Sequence, residues 1–187
     1  MRLWTVRAAD ELRSARWPLR ADPRFVDPYM LPAYRWMAGQ LRRKAGPPPR
    51  GVTLPLWAWV TRPDLRTSAH LPKGRKGVVL ELELPEPQVL VSDFERFHAV
   101  LNRHYLALNQ ADDARFDRAL ARSGRTEWPF TPAIRTRVEQ SWRRIFSDVR
   151  GDGGRRYWGA PEHAALQAVF WELPQAAVVG RRAFVAR

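Results

Sequence analysis

The chain contains no cysteine. That absence removes disulfide staples, thiolate zinc sites and cysteine nucleophiles together, and it fits a reducing compartment. Long apolar runs are missing as well: no stretch approaches the roughly 20 residues that a membrane-spanning helix requires. The opening Met1-Arg2-Leu3-Trp4-Thr5 lacks the apolar core and small-residue cleavage site of a secretory signal, so a cytoplasmic protein without membrane contact is expected. Internal repeats and low-complexity tracts are absent. So are the common signatures Gly-x-x-x-x-Gly-Lys-Ser/Thr, Gly-x-Gly-x-x-Gly and Gly-x-Ser-x-Gly. The four histidines, His70, His98, His104 and His163, lack the i,i+4 spacing around a glutamate that helical zinc hydrolases use, and no metal site is expected.

Negative charge is scarce: 19 Asp+Glu face 32 Lys+Arg, a formal net charge of +13. Nearly all of the excess is arginine, whose planar fork suits phosphate and stacked aromatic partners. Nucleic acid or another polyanion is therefore a candidate partner, with salt-sensitive adhesion as its signature. A GC-rich genome favouring Arg, Ala, Gly and Pro accounts for the same composition.

Tryptophan is what the chain has in abundance, with nine in 187 residues. Each buries on the order of 150–250 Å² and wants a partner for its indole N–H, so this density means either an aromatic core or a cleft walled for a small planar ligand. The length and 45% apolar content suit one compact α+β domain over residues 1–187, with a mixed or antiparallel sheet and a central helical block.

The pattern along the chain predicts a strand at 2–7, a short helix at 8–17, an extended Pro-broken stretch at 18–28 and a helix at 32–44 that ends at Gly46-Pro47-Pro48-Pro49. A strand at 54–60 places Trp57 and Trp59 on one side. Residues 77–84 alternate from Leu80 onward, turning Glu81 and Glu83 to water or a cleft, and 89–91 reads as a continuation after the Pro85–Pro87 break. Ser92-Asp93-Phe94-Glu95 has the form of a capping box opening a helix over 93–108. Thr131-Pro132 starts another over 133–149, stopped by Gly151-Asp152-Gly153-Gly154. A helix or strand at 162–173 and a strand at 177–186 close the chain.

Among candidate sites, Glu81 and Glu83 read first as a solvated strand face, and Arg135, Arg137, Arg143, Arg144 and Arg150 as a solvated helix surface. Trp57 and Trp59 suit a strand face turned to the interior. Arg62 and Arg66 flank a Pro-fixed turn, where they either hold an anion or pair with Asp64. Glu172 lies in the apolar run Ala168–Leu173, where burial without a partner would cost several kcal/mol, so it is expected either to be hydrogen-bonded or to open onto a cleft.

Leu3-Trp4-Thr5, Ala33-Tyr34-Arg35-Trp36-Met37, Pro55-Leu56-Trp57-Ala58-Trp59, Arg62-Pro63-Asp64-Leu65-Arg66, Leu80-Glu81-Leu82, Ser92-Asp93-Phe94, Ser141-Trp142-Arg143-Arg144-Ile145-Phe146 and Gln167…Phe170-Trp171-Glu172-Leu173 together resemble a bacterial family catalogued as a domain of unknown function, DUF3841-like, over nearly the full length. A more distant resemblance is to ADP-ribosyltransferase-like domains, including toxins that modify DNA bases. Those domains open with a strand ending in a short polar residue, continue through a helix and an aromatic strand, and place a catalytic glutamate near a late strand. That resemblance implies NAD as co-substrate and Glu172 as the carboxylate that bonds the nicotinamide ribose and stabilises an oxocarbenium-like transition state. It also implies Trp57 or Trp59 stacked on nicotinamide, Thr5 at a ribose, and Arg20 or Arg66 at the pyrophosphate. The chain departs from the pattern in having no clear His-Tyr-Glu or Arg-Ser-Glu set, and Gln167 precedes Glu172 by five residues where a Gln-x-Glu pair needs two. The alternative is a non-catalytic module that holds nucleic acid or a protein partner on basic and aromatic surface. A third reading is an enzyme whose aromatic pocket takes a small molecule other than NAD.

Overall fold

The computed structural model describes residues 1–66, 70–147 and 165–187. The fold is α+β, and the described residues fall into two compact units, Met1–Val91 with Leu166–Arg187, and Ser92–Ala165. Among the described residues no helix is long and apolar enough to cross a membrane.

The first unit is built on a sheet. Strand β1 (Arg2–Ala8) leads into the short helix α1 (Ala9–Ser14), then β2 (Leu19–Arg20) and helix α2 (Leu31–Ala45), with Pro32 accepted in the first turn of α2, where its missing N–H costs nothing. Helix α2 ends where Gly46 adopts φ 83°, its N–H donating to the Arg42 carbonyl, and Pro47 follows. Strands β3 (Leu56–Trp59) and β4 (Lys76–Glu83) come next. Strand β5 (Leu90–Asp93) follows a 3₁₀ turn at Glu86–Gln88, and the late β6 (Leu166–Phe170), β7 (Glu172–Leu173) and β8 (Val178–Val185) complete the set.

The six-stranded sheet has the order β5-β6-β3-β1-β4-β8, and β2 pairs with β7 in a two-stranded sheet. The pairings β1–β3, β1–β4, β3–β6, β4–β8 and β2–β7 are all antiparallel. One face of the large sheet contributes Leu3, Leu56, Ala58, Leu80, Leu82, Ala168 and Phe170 to a buried cluster that Leu173 of β7 joins, with Leu12, Trp17 and Leu19 packed against it. Residues 89–91 do not prolong β4. The prolines start a new segment, and β5 takes the opposite edge of the sheet, beside β6.

The second unit is helical. Helix α3 (Phe94–Leu101) is capped by Asp93, whose carboxylate accepts from the Arg96 amide at 3.1 Å, one residue later than the Ser92 cap the sequence suggests. It stops seven residues before 108, because Arg103 takes φ 58°, a left-handed conformation that breaks the helical hydrogen bonding. Helix α4 (Gln110–Arg122) follows, capped by Asn109. Helix α5 (Pro132–Ser141) continues as a 3₁₀ segment, Trp142–Phe146, keeping Ile134, Val138, Trp142 and Ile145 buried as their spacing predicts. Val149, Arg150, Gly151-Asp152-Gly153-Gly154 and His163 lie outside the described residues.

Candidate functional site

Strand register builds the site. In an antiparallel pair, residues directly opposite share a face. Trp59 faces Gln167 of β6 on one side and Trp4 of β1 on the other; Trp4 faces Glu81 of β4, which in turn faces Gly180 of β8. Gln167, Trp59, Trp4, Glu81 and Gly180 therefore form one transverse row over five strands, about 19 Å wide at ordinary strand spacing. Alternation puts this row on the opposite face from Leu56, Ala58 and the buried cluster. Trp4 and Trp59 are half-buried, so part of each indole stays accessible.

Trp57 lies on the same face two residues from Trp59. Its ring is 5.0 Å from that of Tyr34 on α2, tilted by 54°. Burial pushes the Tyr34 phenol upward from its ordinary pKa, so it stays a neutral hydrogen-bonding group beside the indole. Trp59 meets the His70 ring edge-on at 6.3 Å.

The Glu81 end of the row is polar. Its carboxylate is 3.2 Å from Arg2 Nε and is partly exposed. Gly180 leaves the space this side chain occupies: a Cβ there would lie 3.1 Å from Glu81 Oε2 and 3.2 Å from its Cβ. The sheet register shifts at this point, between Glu81 and Leu82, as a bulge does. Gly180→Ala is expected to lower stability by about 1 kcal/mol, the low end of the cost of overpacking, and to weaken the Arg2–Glu81 pair. A fall in melting temperature that shrinks in the Glu81→Ala background, which removes the carboxylate contact and keeps the Cβ contact, checks it.

The six residues singled out in the sequence separate into four places. Thr5 is buried on β1, and its hydroxyl donates to the Trp57 carbonyl at 3.0 Å, tying β1 to β3. Trp57 and Trp59 belong to the aromatic face. Arg20 and Glu172 face each other across β2 and β7, with Arg20 Nε 3.0 Å and Nη2 2.9 Å from Glu172 Oε2. Arg20 Nη1 also donates to the Arg50 carbonyl at 3.3 Å. Among the described residues Glu172 Oε1 has no polar partner, and the side chain is 31% exposed. Leu173 enters the buried cluster, so alternation turns Glu172 away from it. Next to it, Trp171 is buried, its indole donating to the Gly46 carbonyl at 3.1 Å.

Arg66 stands apart in an exposed turn. Its Nε and Nη2 clamp Asp64 at 2.9 and 2.8 Å, and these hydrogen bonds with the backbone amide of Arg66 bring the Asp64 carboxyl down to about 2. Arg66 is thus committed to the intraturn pair that the sequence offers as one of its two readings.

Sequence reasoning did not single out Trp4, Tyr34 or Gln167 as site residues, and it set Glu81 aside as a solvated face. Trp4 and Glu81 could be found by their alternation, but which strands adjoin is decided by pairings between segments 50 to 160 residues apart.

A family model described as a domain of unknown function (DUF3841) matches residues 4–179, and the chain belongs to that family. No curated protein and no solved structure matches the chain.

Proposed function

We propose that this family member is an ADP-ribosyltransferase-like domain that binds NAD along the aromatic face of its large sheet. The observation that carries this reading is the adjacency β6–β3–β1. The three segments on which the resemblance rests, the opening strand, the aromatic strand and the late strand, are three neighbouring strands, and Gln167, Trp59 and Trp4 share a row across them. Two planar rings and a phosphate bridge need flat apolar walls flanked by donors, and Trp57, Trp59 and Trp4 supply the walls. Val169, opposite Trp57, precedes Glu172 by three residues across the break at Trp171 between β6 and β7, at most about 10 Å of chain, a span that an extended dinucleotide covers. Arg20 fixes one oxygen of Glu172, leaving Oε1 for the nicotinamide ribose. Negative charge held there stabilises the cation that develops as the glycosidic bond breaks and nicotinamide leaves with the bonding electron pair; an acceptor nucleophile then forms the new bond to the ribose carbon.

The test is a pair of measurements. NAD at 100 times its Kd should stabilise the protein by about 2.7 kcal/mol in a thermal melt. Trp57→Leu and Trp59→Leu should remove at least 10-fold of that affinity, and nicotinamide release should be detectable by chromatography. A melt insensitive to NAD, with no nicotinamide released, sinks the reading.

A second reading, a binding module for nucleic acid, has its own support. Helix α2 holds no acid in 15 residues, while Arg35, Arg42, Arg43 and Lys44 are exposed on it, and its Tyr34 touches Trp57. Cations beside indoles are what a phosphate backbone with unstacked bases requires. In that case Arg42→Glu/Arg43→Glu should lower single-strand affinity and flatten its dependence on salt by roughly two charges. Affinity lost for every strand near physiological salt would reduce it to plain charge attraction.

A further inference from the structure

The large sheet ends in a strand that is paired on one side only. In the order β5-β6-β3-β1-β4-β8, the terminal β8 bonds to β4, and among the described residues no strand lies beyond it. The edge at the other end, β5, is four residues long, short as exposed edges usually are. Strand β8 runs for eight residues, about 27 Å.

Which backbone groups face outward follows from the end of the pairing. The Ala186 amide donates to the Arg75 carbonyl at 3.0 Å, and its carbonyl accepts from the Gly74 amide at 2.8 Å. Ala186 thus turns both groups to the β4 side, and alternation turns the N–H and C=O of Val185, Ala183 and Arg181 to the open edge. The side chains there are accessible as well: Val185 is 57% exposed, and Arg181, Arg182 and Ala183 are exposed. Two glycines hold the strand in register. A Cβ on Gly77 would lie 2.5 Å from the Phe184 ring, and one on Gly180 would lie 3.1 Å from Glu81 Oε2. A slip of one residue would move Phe184 off the bare Gly77, so the edge is preset and a partner has little left to order.

Charge selects the partner. Residues Val178–Arg187 contain three arginines and no acid. Adjacent strand positions point to opposite faces, so Arg181 and Arg182 stand on the two sides of the same stretch of edge. Arg181 opposes Leu80 and lies 5.9 Å from the Trp17 ring centre, Arg182 opposes Val79, and among the described residues neither reaches an acid. Charges on an edge deter like strands, and a second copy of this chain brings the same two cations and a further net charge of +13. A strand with two adjacent carboxylates instead meets both arginines, one on each face, in cross-strand pairs.

We infer that β8 is a docking edge for an extended acidic segment of a partner protein, which adds to the sheet as a further strand. Antiparallel addition, the more stable sense, sets the order of its residues. An aliphatic side chain lies opposite Val185, two variable positions follow, and two acids lie opposite Arg182 and Arg181.

The experiment uses the full chain and a fluorescein-labelled peptide, Thr-Val-Thr-Thr-Glu-Glu-Thr-Val, followed by fluorescence anisotropy at physiological salt. A control peptide has proline in place of the threonine opposite Ala183, which keeps the charge and removes a ladder donor. Wild type should bind the first peptide roughly tenfold more tightly than the control. Arg181→Glu/Arg182→Glu should lose the acidic peptide by roughly tenfold and gain its Lys-Lys counterpart. Ala183→Pro, which removes an outward N–H and leaves the β4 side bonded, should lose the acidic peptide too. No binding, or equal binding of the proline control, overturns the proposal, the latter by showing plain charge attraction. Self-association of wild type that Ala183→Pro abolishes assigns the edge to a second copy and also overturns it. None of these variants changes Trp4, Trp57, Trp59 or Glu172, so the result stands apart from the fate of the NAD reading.

Discussion

Asp112→Ala is expected to destabilise the helical unit by about 3 kcal/mol, among the largest effects of any single polar substitution in the chain. Asp112 is buried on α4, and its carboxylate gathers four donors. These are the Leu108 amide at 2.9 Å, the Tyr105 hydroxyl at 3.1 Å, Arg144 Nη1 at 2.8 Å and Arg115 Nη2 at 3.3 Å. Tyr105 in turn stacks on Phe116 with centroids 4.0 Å apart, and the Arg144 guanidinium sits 5.2 Å from the Tyr105 ring centre. Removing the carboxylate leaves the Leu108 amide without its acceptor and the partly buried Arg144 charge without its counterion, held only by the Leu106 carbonyl and the Tyr105 hydroxyl, and the cost of that desolvated charge and amide exceeds the net value of the bonds themselves. Asp112→Asn should recover little, because its amide presents donors to donors. Arg115→Ala is the control: its side chain is 59% exposed, so the loss should stay below about 1 kcal/mol. Urea unfolding reads all three as shifts in midpoint at constant slope.

The same carboxylate sets a pH dependence. Burial opposes its ionisation, but the Leu108 amide, the Tyr105 hydroxyl and the Arg144 charge together outweigh burial and hold its pKa below the ordinary aspartate value. A group depressed in the folded state contributes stability above its unfolded pKa, about 3.9, and loses it as pH falls through the lower folded value. The gap between wild type and Asp112→Asn should therefore be full at neutral pH and narrow below about pH 4. A gap independent of pH would show that the carboxylate acts by shape alone.

The elements that could be read in advance are those whose signal is local. The alternation in Leu80-Glu81-Leu82 placed β4, the Pro32 start and the Gly46 stop bracketed α2, and Ile134, Val138, Trp142 and Ile145 marked the buried side of α5. Helix α4 carried no such signal. Of its 13 residues only Asp112 and Phe116 are buried, so it lacks the broad apolar stripe of a core-facing helix, and the Asn109 cap and the Asp112 hydrogen bonds fix its first turn. The end of α3 was hidden for another reason: a left-handed residue is foreseeable when it is glycine, and here it is Arg103. The site divides the same way. That Trp57 and Trp59 share a face follows from their spacing by two. That Trp4 and Gln167 complete the row depends on β1 and β6 flanking β3, a long-range choice that leaves no mark in either strand alone. Glu172 was expected either to find a partner or to face a cleft, and Arg20, 152 positions earlier, is that partner.

Glu172→Gln is expected to reduce nicotinamide release by about 10² to 10³, while lowering stability by no more than about 1 kcal/mol. The two numbers decide between roles. Arg20 and Glu172 are 44% and 31% exposed, and an ion pair so placed is screened by water, so a purely structural pair has little free energy to lose. A fall of 10² or more corresponds to about 2.7 kcal/mol in the barrier, too much to come from a loosened surface contact. Arg20→Met adds the second axis. If Arg20 positions Glu172, that variant alone should slow turnover at saturating NAD, and in the Glu172→Gln background it should do almost nothing more, because the carboxylate it orients is gone. Two substitutions that instead add independently, with Arg20→Met raising KM and sparing kcat, would make Arg20 a direct ligand of the diphosphate. Turnover unchanged in Glu172→Gln would leave the pair a strand clasp between β2 and β7, and would move the search for an acidic group to Glu81, the carboxylate that already shares a row with Trp4 and Trp59.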